Sequence, residues 1–404
     1  MKYYCIQNVR IIDSEQDFMG SVLIFGGKIK IVFSGKEKIS LPKGTEVIEG
    51  RGKILLPGLF DPHVHFRDPG LTQKEDLSSG SRAAVSGGVT SFLDMPNTVP
   101  PTLTVAELEK KRLLAREKSC ANFGFFMGAN ETNAEEIKKA KNIPGVKLYL
   151  NPTTGNLRLN TEESWRKIFR LGRKVVLHAE GETFLRAVKI WEEEKFPCEL
   201  HLAHVSRSCE IEAIRKLKRG KAAKKISCEV TPHHLLLSPK EASINPEIGS
   251  SKDREALWEG VLDGTIDFLA TDHAPHTAEE KRKGAFGIPG VETFFSVMFT
   301  EFVKRKISLT KFAKMTSRRA FEIFHVQDKK GKIQKGFDAD LILVDPQEEW
   351  SIDAKKFFSK CHETPFDGKK VTGRIEKTFA EGELVFENGE IILPGFRGRE
   401  LGFE

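Results

Sequence analysis

The chain has no CxxC pair: its six cysteines, Cys5, Cys120, Cys198, Cys209, Cys228 and Cys361, are scattered through 404 residues. The fold is therefore expected to stand without disulfide staples, and because nothing at the start resembles a secretory signal, a reducing cytosol is the expected compartment. No apolar run approaches the roughly 18 residues that cross a bilayer, so a membrane is not an expected partner. No GxGxxG follows an apolar run, which counts against a doubly wound, dinucleotide-binding sheet. There is also no long block of one charge. The net charge is +7 with 30% charged residues, yet stretches such as EEIKKAKN and ELEKKRLLAREK mix both signs, as solvated helix faces do. Nucleic acid is not an expected partner either, and no internal repeat or low-complexity segment appears.

What is present is alternation. Eight apolar runs of strand length, ILLPGLFDPHVHF, VTSFLDM, NFGFFMG, GVKLYL, KVVLHAE, ELHLAHV, ISCEVTP and IDFLATDH, are separated by helix-like segments. Two of those segments open on a threonine followed three residues later by glutamate, Thr104 with Glu107 and Thr132 with Glu135, the spacing of a capping box. The segment SRSCEIEAIRKLKRG is expected to stop on a left-handed C-cap at Gly220. Eight such units over residues 55–335 match the size of a (β/α)₈ barrel, roughly 250 residues before insertions. Residues 1–54 and 336–404 carry short alternating stretches broken by Gly and Asp turns, and are expected to form a small composite β-sandwich from both ends of the chain.

Barrels of this kind carry their reactive groups at the C-terminal ends of the strands. In DPHVHFRDPG, His63 and His65 are two residues apart and share a strand face. The fourth run carries Lys147, the fifth His178, the sixth His204 and the eighth Asp272. Any one of these histidines could be a satisfied core residue; four with an aspartate on one rim form the donor set of zinc or a similar divalent ion. Lys147 lies in an apolar strand, where an ammonium is costly. It either snorkels to the rim or is carbamylated by carbon dioxide, becoming an anion with two oxygens that can bridge two cations. The ligands then divide into His63, His65 and Asp272 on one metal and His178 and His204 on the other, with Lys147 between them.

The stretches DPHVHFRDPGLTQKED, MPNT, GVKLYLN, LHAE, AHVS, CEVTPHHL, GSSKDREALWEG and TDHAPHT together resemble the dihydroorotases of the amidohydrolase superfamily, across the whole chain. The likeness is to the type with a carboxylated lysine. It implies two Zn²⁺ ions held by His63, His65, Lys147, His178, His204 and Asp272, with Asp272 moving the catalytic proton. It also implies substrate contacts from Arg67, Asn97 and His276, and the reversible interconversion of N-carbamoyl-L-aspartate and L-dihydroorotate in pyrimidine synthesis. A homodimer and association with aspartate transcarbamoylase are the expected assemblies. Arg67 suits the ring carboxylate because a guanidinium pairs with it bidentately.

Two positions depart from the animal-type pattern: Asn245 stands where those relatives have arginine, and Thr154, after Thr153, where they have an aromatic residue. His233 and His234 are expected to be structural or to support the ligands, and Cys228 and Glu229 carry no assignment. The rival readings are a hydantoinase, dihydropyrimidinase or allantoinase, whose substrates lack the ring carboxylate, and a non-catalytic scaffold for aspartate transcarbamoylase. No ligand position is missing, which counts against the scaffold.

Overall fold

The computed structural model of the chain describes residues 2–34, 40–152, 157–326, 328–392 and 395–403. Its centre is a ring of eight parallel strands: β1 Leu59–Val64, β2 Val89–Asp94, β3 Asn122–Phe125 with its continuation Met127–Gly128, β4 Val146–Tyr149, β5 Val175–His178, β6 Leu200–Leu202, β7 Ile226–Val230 and β8 Phe268–Leu269. Each pairs in parallel with its successor, the ladder changing hands at Phe126 inside the third strand. The ring closes where Val64 bridges His273 in parallel and the His65 N–H donates to the His273 carbonyl at 2.8 Å. Every residue of these strands is buried. That is the demand of a parallel sheet covered on both faces, and it explains why the strands read as continuous apolar runs.

Helices lie outside the ring, among them Leu77–Ser86 after β1, Val105–Lys118 after β2 and Gly181–Glu193 after β5. The chain is a (β/α)₈ barrel, and ring closure rules out the open doubly wound sheet. The helix at Val105 begins as its sequence demands: Thr104 Oγ1 accepts from Glu107 N at 3.2 Å, and Thr104 N donates to Glu107 Oε2 at 3.1 Å. Two other helix-end expectations are corrected. Thr132 caps nothing, because Asn130 Oδ1 takes the Thr132 and Asn133 amides at 2.9 and 2.8 Å, and the helix Ala134–Lys139 starts after Asn133 with no side-chain cap. The helix Ser208–Lys218 ends at Arg219 with φ −87°, and Gly220 does not adopt a positive φ. Its amide is satisfied by Leu217 O at 3.0 Å instead.

Both chain ends build one nine-stranded sheet. Its order is Glu390–Ile391, Glu383–Glu387, Lys370–Ala380, Leu341–Ser351, Ile54–Pro57, Tyr4–Ile12, Asp17–Phe25 and Lys28–Ser34, with Glu46–Glu49 added against Tyr4–Ile12. The sheet folds over its own core as a β-sandwich, so that the rings of Tyr4 and Phe379 meet at 5.3 Å. Alternation along the strands then divides the work. Leu55, Leu341 and Leu343 enter the sandwich core, while Ile54, Leu56, Ile342 and Val344 join the barrel core. Because Ile54–Pro57 pairs with Leu341–Val344 in this sheet, we place the hand-over to the barrel at Gly58, inside the run in which the sequence reading began the barrel.

Candidate active site

The C-terminal ends of the strands converge on a cavity of about 530 Å³, counted to its open mouth. Eight of the nine residues singled out from sequence line it: His63, His65, Arg67, Asn97, Lys147, His178, His204 and Asp272. The ninth, His276, adjoins Arg67, with Nε2 at 3.3 Å from Arg67 Nη2. Three wall residues, Arg67, His204 and Asp272, have left-handed backbone, φ 61°, 35° and 47°. Strained non-glycine backbone of this kind is held in place only by its surroundings and concentrates at functional sites.

His63 and His65 leave β1 on one face, as their spacing of two requires. Each is oriented from behind. His63 Nδ1 meets Glu229 Oε1 in a short hydrogen bond, and His65 Nδ1 donates to Asn97 Oδ1 at 2.6 Å. With the ring protons on Nδ1, both Nε2 atoms present lone pairs, and both face Asp272 Oδ1, at 3.3 and 3.0 Å. Three acceptors therefore point at one another with no donor among them, an arrangement that a cation resolves. Beside them, His178 Nδ1 faces His204 Nε2 at 2.7 Å, and the His204 ring lies 5.3 Å from that of His63. Burial holds the His65 and His178 imidazoles neutral, with pKa values pulled down to about 3. The imidazoles of His63, His65, His178 and His204 with the Asp272 carboxylate are a donor set that fits divalent metal.

Lys147 is fully buried and its Nζ has no hydrogen-bond partner; it lies 5.5 Å over the Tyr149 ring. Burial lowers its pKa to about 8, against the pull of the Glu229 and Asp272 carboxylates. A snorkelling lysine would carry its ammonium to water, and this buried side chain does not.

Glu229 is the residue that sequence reasoning left out. Buried in β7, it takes the proton side of His63 on one oxygen and His201 Nε2 on the other, at 3.1 Å, while His201 Nδ1 meets Ser227 Oγ at 2.9 Å. Burial raises its pKa, but the His63 and His201 donors outweigh that and hold it ionised. The available signal was a carboxylate in the otherwise apolar run ISCEV. Tyr149 and His233 also line the cavity, each with a buried polar atom, Oη and Nε2, that has no partner. His234 is tied down by Thr231 Oγ1 at 2.8 Å and Pro246 O at 3.1 Å, a structural position. Cys228 turns away to Thr265 O at 3.2 Å. Asn245 lines the cavity and donates to Pro152 O, while Thr153 and Thr154 lie outside the described residues.

Arg67 is buried to 2% exposure. Its Nε donates to Pro275 O at 3.3 Å, and its Nη1 has no partner. A guanidinium is charged at any ordinary pH, so this wall position holds a positive charge with an unspent N–H.

Residues 54–385 match the Amidohydrolase family. The chain is 34% identical over 401 residues to the dihydroorotase of Pyrococcus horikoshii, covering 93% of this chain and 92% of that one. It is 33% identical over 362 residues to multifunctional protein CAD of Squalus acanthias, covering 86% of this chain but only 16% of that protein's length. Among solved structures it is similar to an L-hydantoinase (dihydropyrimidinase) from Arthrobacter aurescens, with a TM-score of 0.92, 25% identity and full coverage of both chains. Among the described residues, no helix is long and apolar enough to cross a membrane.

Proposed function

The chain belongs to the amidohydrolase family, and we propose that within it this protein is a dihydroorotase, interconverting N-carbamoyl-L-aspartate and L-dihydroorotate at a binuclear zinc site. The observation that carries the choice of substrate is the buried Arg67 guanidinium with its unpartnered Nη1 on the cavity wall. Dihydroorotate brings a ring carboxylate that would pair with it; a charge-assisted bond of this kind contributes about 1.5–3 kcal/mol.

In this reading His63, His65 and Asp272 would hold one zinc, His178 and His204 the other, and Lys147, as its carbamate, would supply an anionic ligand to the pair. Carbamylation joins the lysine nitrogen to the carbon of CO₂ and releases two protons from the ammonium, one to free the amine and one on forming the carbamate, which replaces an unpaired buried cation by an anion. When bound, the metals would polarise the ring carbonyl and lower the pKa of water toward neutrality. The chain's own groups do the rest. Glu229 and Asn97 fix the tautomers of His63 and His65. Arg67 orients the ring by its carboxylate. Asp272 takes the proton of the attacking water and gives it to the departing ring nitrogen; in ring closure it starts protonated. With Oδ1 turned to His63 and His65, Oδ2 is the oxygen that moves the proton.

The similarity to hydantoinase structures favours a second reading, a hydantoin- or dihydropyrimidine-cleaving enzyme. The test is direct: turnover of dihydroorotate measured beside hydantoin and dihydrouracil with one zinc-loaded preparation. Preference for the carboxylated ring supports the proposal, and preference for the rings without it selects the second reading.

A further inference from the structure

Beside Arg67, the protons around His276 can be counted. Its Nε2 lies 3.3 Å from Arg67 Nη2, and its Nδ1 lies 3.4 Å from Lys74 Nζ and 3.5 Å from Glu280 Oε2. Guanidinium and ammonium groups only donate, and an ionised carboxylate only accepts. Burial, reinforced by the Arg67 and Lys74 charges, takes the His276 pKa down to about 4, so the ring is neutral at pH 7, with one N–H and one lone pair. If the proton is on Nδ1, it has the Glu280 carboxylate 3.5 Å away as its acceptor, with the Lys74 ammonium beside it, and Nε2 accepts from Arg67. If it is on Nε2, Nδ1 accepts from Lys74, but Nε2–H then faces Arg67, a second donor. The second tautomer therefore requires an acceptor beside Arg67, and a carboxylate is such a group.

Lys74 is built into this place. Its side chain is 7% exposed, its backbone N–H is tied to Leu71 O at 2.9 Å, and its Nζ is 2.9 Å from Glu280 Oε1. Resting on the reading above that the substrate carries a ring carboxylate, we infer that Lys74 is a positioning residue for carboxylate recognition. It donates to His276 Nδ1, which lets His276 carry its proton on Nε2 and offer it to the carboxylate that Arg67 holds. Glu280 supports the opposite tautomer when no carboxylate stands there, so the Lys74–Glu280 pair lets His276 serve as acceptor to Arg67 or donor to substrate.

The experiment compares Lys74→Met, which removes charge and donor, with Lys74→Gln, which keeps an N–H donor without the charge. The probes are dihydroorotate turnover, binding of orotate and of uracil (the same unsaturated ring with and without the carboxylate), zinc content, and ¹⁵N resonances of the His276 ring. Lys74→Met is expected to raise the dihydroorotate KM and the orotate Kd at least tenfold, with kcat within threefold and with zinc content and uracil binding unchanged. Lys74→Gln is expected to recover most of that loss. In the wild type, adding orotate moves the His276 proton from Nδ1 to Nε2. A Gln variant as poor as Met would show that charge alone matters and would overturn the inference. So would an unchanged KM in Lys74→Met, or a fall in kcat at constant KM. Should the Met variant not fold, the wild-type resonances decide: no change of tautomer on orotate binding overturns the proposal. Failure of the dihydroorotase reading itself looks different, because the wild type would then neither turn over dihydroorotate nor bind orotate in preference to uracil.

Discussion

Two clusters of metal-ligating residue types occur among the described residues, and they differ in what sits between them. Asp338, Asp340 and Glu381, where the sandwich meets the barrel, surround the Lys330 ammonium at 3.1, 2.6 and 2.9 Å. Asn122 Nδ2 and Arg399 Nη1 add further donors to Asp340 and Glu381, at 3.3 and 3.1 Å. Every carboxylate there already has a cation, supplied by the chain. At the rim, His63, His65 and Asp272 face one another as acceptors alone, and the nearby buried lysine, Lys147, has no partner. Acidic residues in proximity do not make a metal site; acceptors left without donors do. Lys111 sharpens the contrast, since this other fully buried lysine is paired with Asp94 at 2.6 Å and Met95 O at 2.7 Å. A structural lysine in this fold is given a carboxylate, and Lys147 is not.

The comparison can be broken most severely at the rim. Lys147→Ala should lower turnover by about a thousandfold or more, roughly 4 kcal/mol of transition-state stabilisation, with loss of bound metal. Acetate or propionate should restore part of both, and an added amine neither. Full turnover with two metals and no added acid would return Lys147 to a packing role.

Lys330→Met should do the reverse, harming stability and sparing chemistry. It leaves three half-neutralised carboxylates in a buried cage, a loss of about 3–5 kcal/mol in denaturant unfolding, with kcat of the folded fraction unchanged. A normal unfolding midpoint would mean that the cage contributes little.

Arg67→Met should cut kcat/KM for dihydroorotate about tenfold to a hundredfold while metal content stays at the wild-type level. Wild-type efficiency would remove the carboxylate from the account.

The smallest effect is a difference in pH dependence. The folded His178 pKa, about 3, lies below the ordinary 6.5. Its contribution to stability is therefore present above pH 6.5 and is lost as pH falls from there toward 3. Lys330 is raised by its carboxylates, which outweigh burial, so its contribution is lost on the alkaline side instead. In metal-free protein, His178→Asn should flatten the acid limb by about 1.4 kcal/mol per pH unit and leave the alkaline limb alone. An unchanged acid slope would show that His178 is not held neutral.

Much of the rim was legible because parallel strands buried on both faces leave polar residues visible at their ends: His63, His65, His178, His204 and Asp272 each interrupt or close an apolar run. The partners behind them were not legible, because they are set by contacts between distant segments. Glu229 meets His63 across 166 residues, and Lys74 meets His276 across 202. Residues 55–57 are expected with the barrel because the strand Ile54–Pro57 is buried on both faces, so its alternation between two cores leaves no trace in hydropathy. At Thr132 a local competitor, Asn130, won the amides that the capping spacing promised to Thr132.

The measurement that bears most directly on the account is metal analysis of the purified chain coupled to dihydroorotate hydrolysis before and after chelation. Two divalent ions per chain, turnover that vanishes with their removal and returns with zinc and bicarbonate, and preference for dihydroorotate over hydantoin are the predicted results. Undiminished turnover in metal-free protein would contradict it.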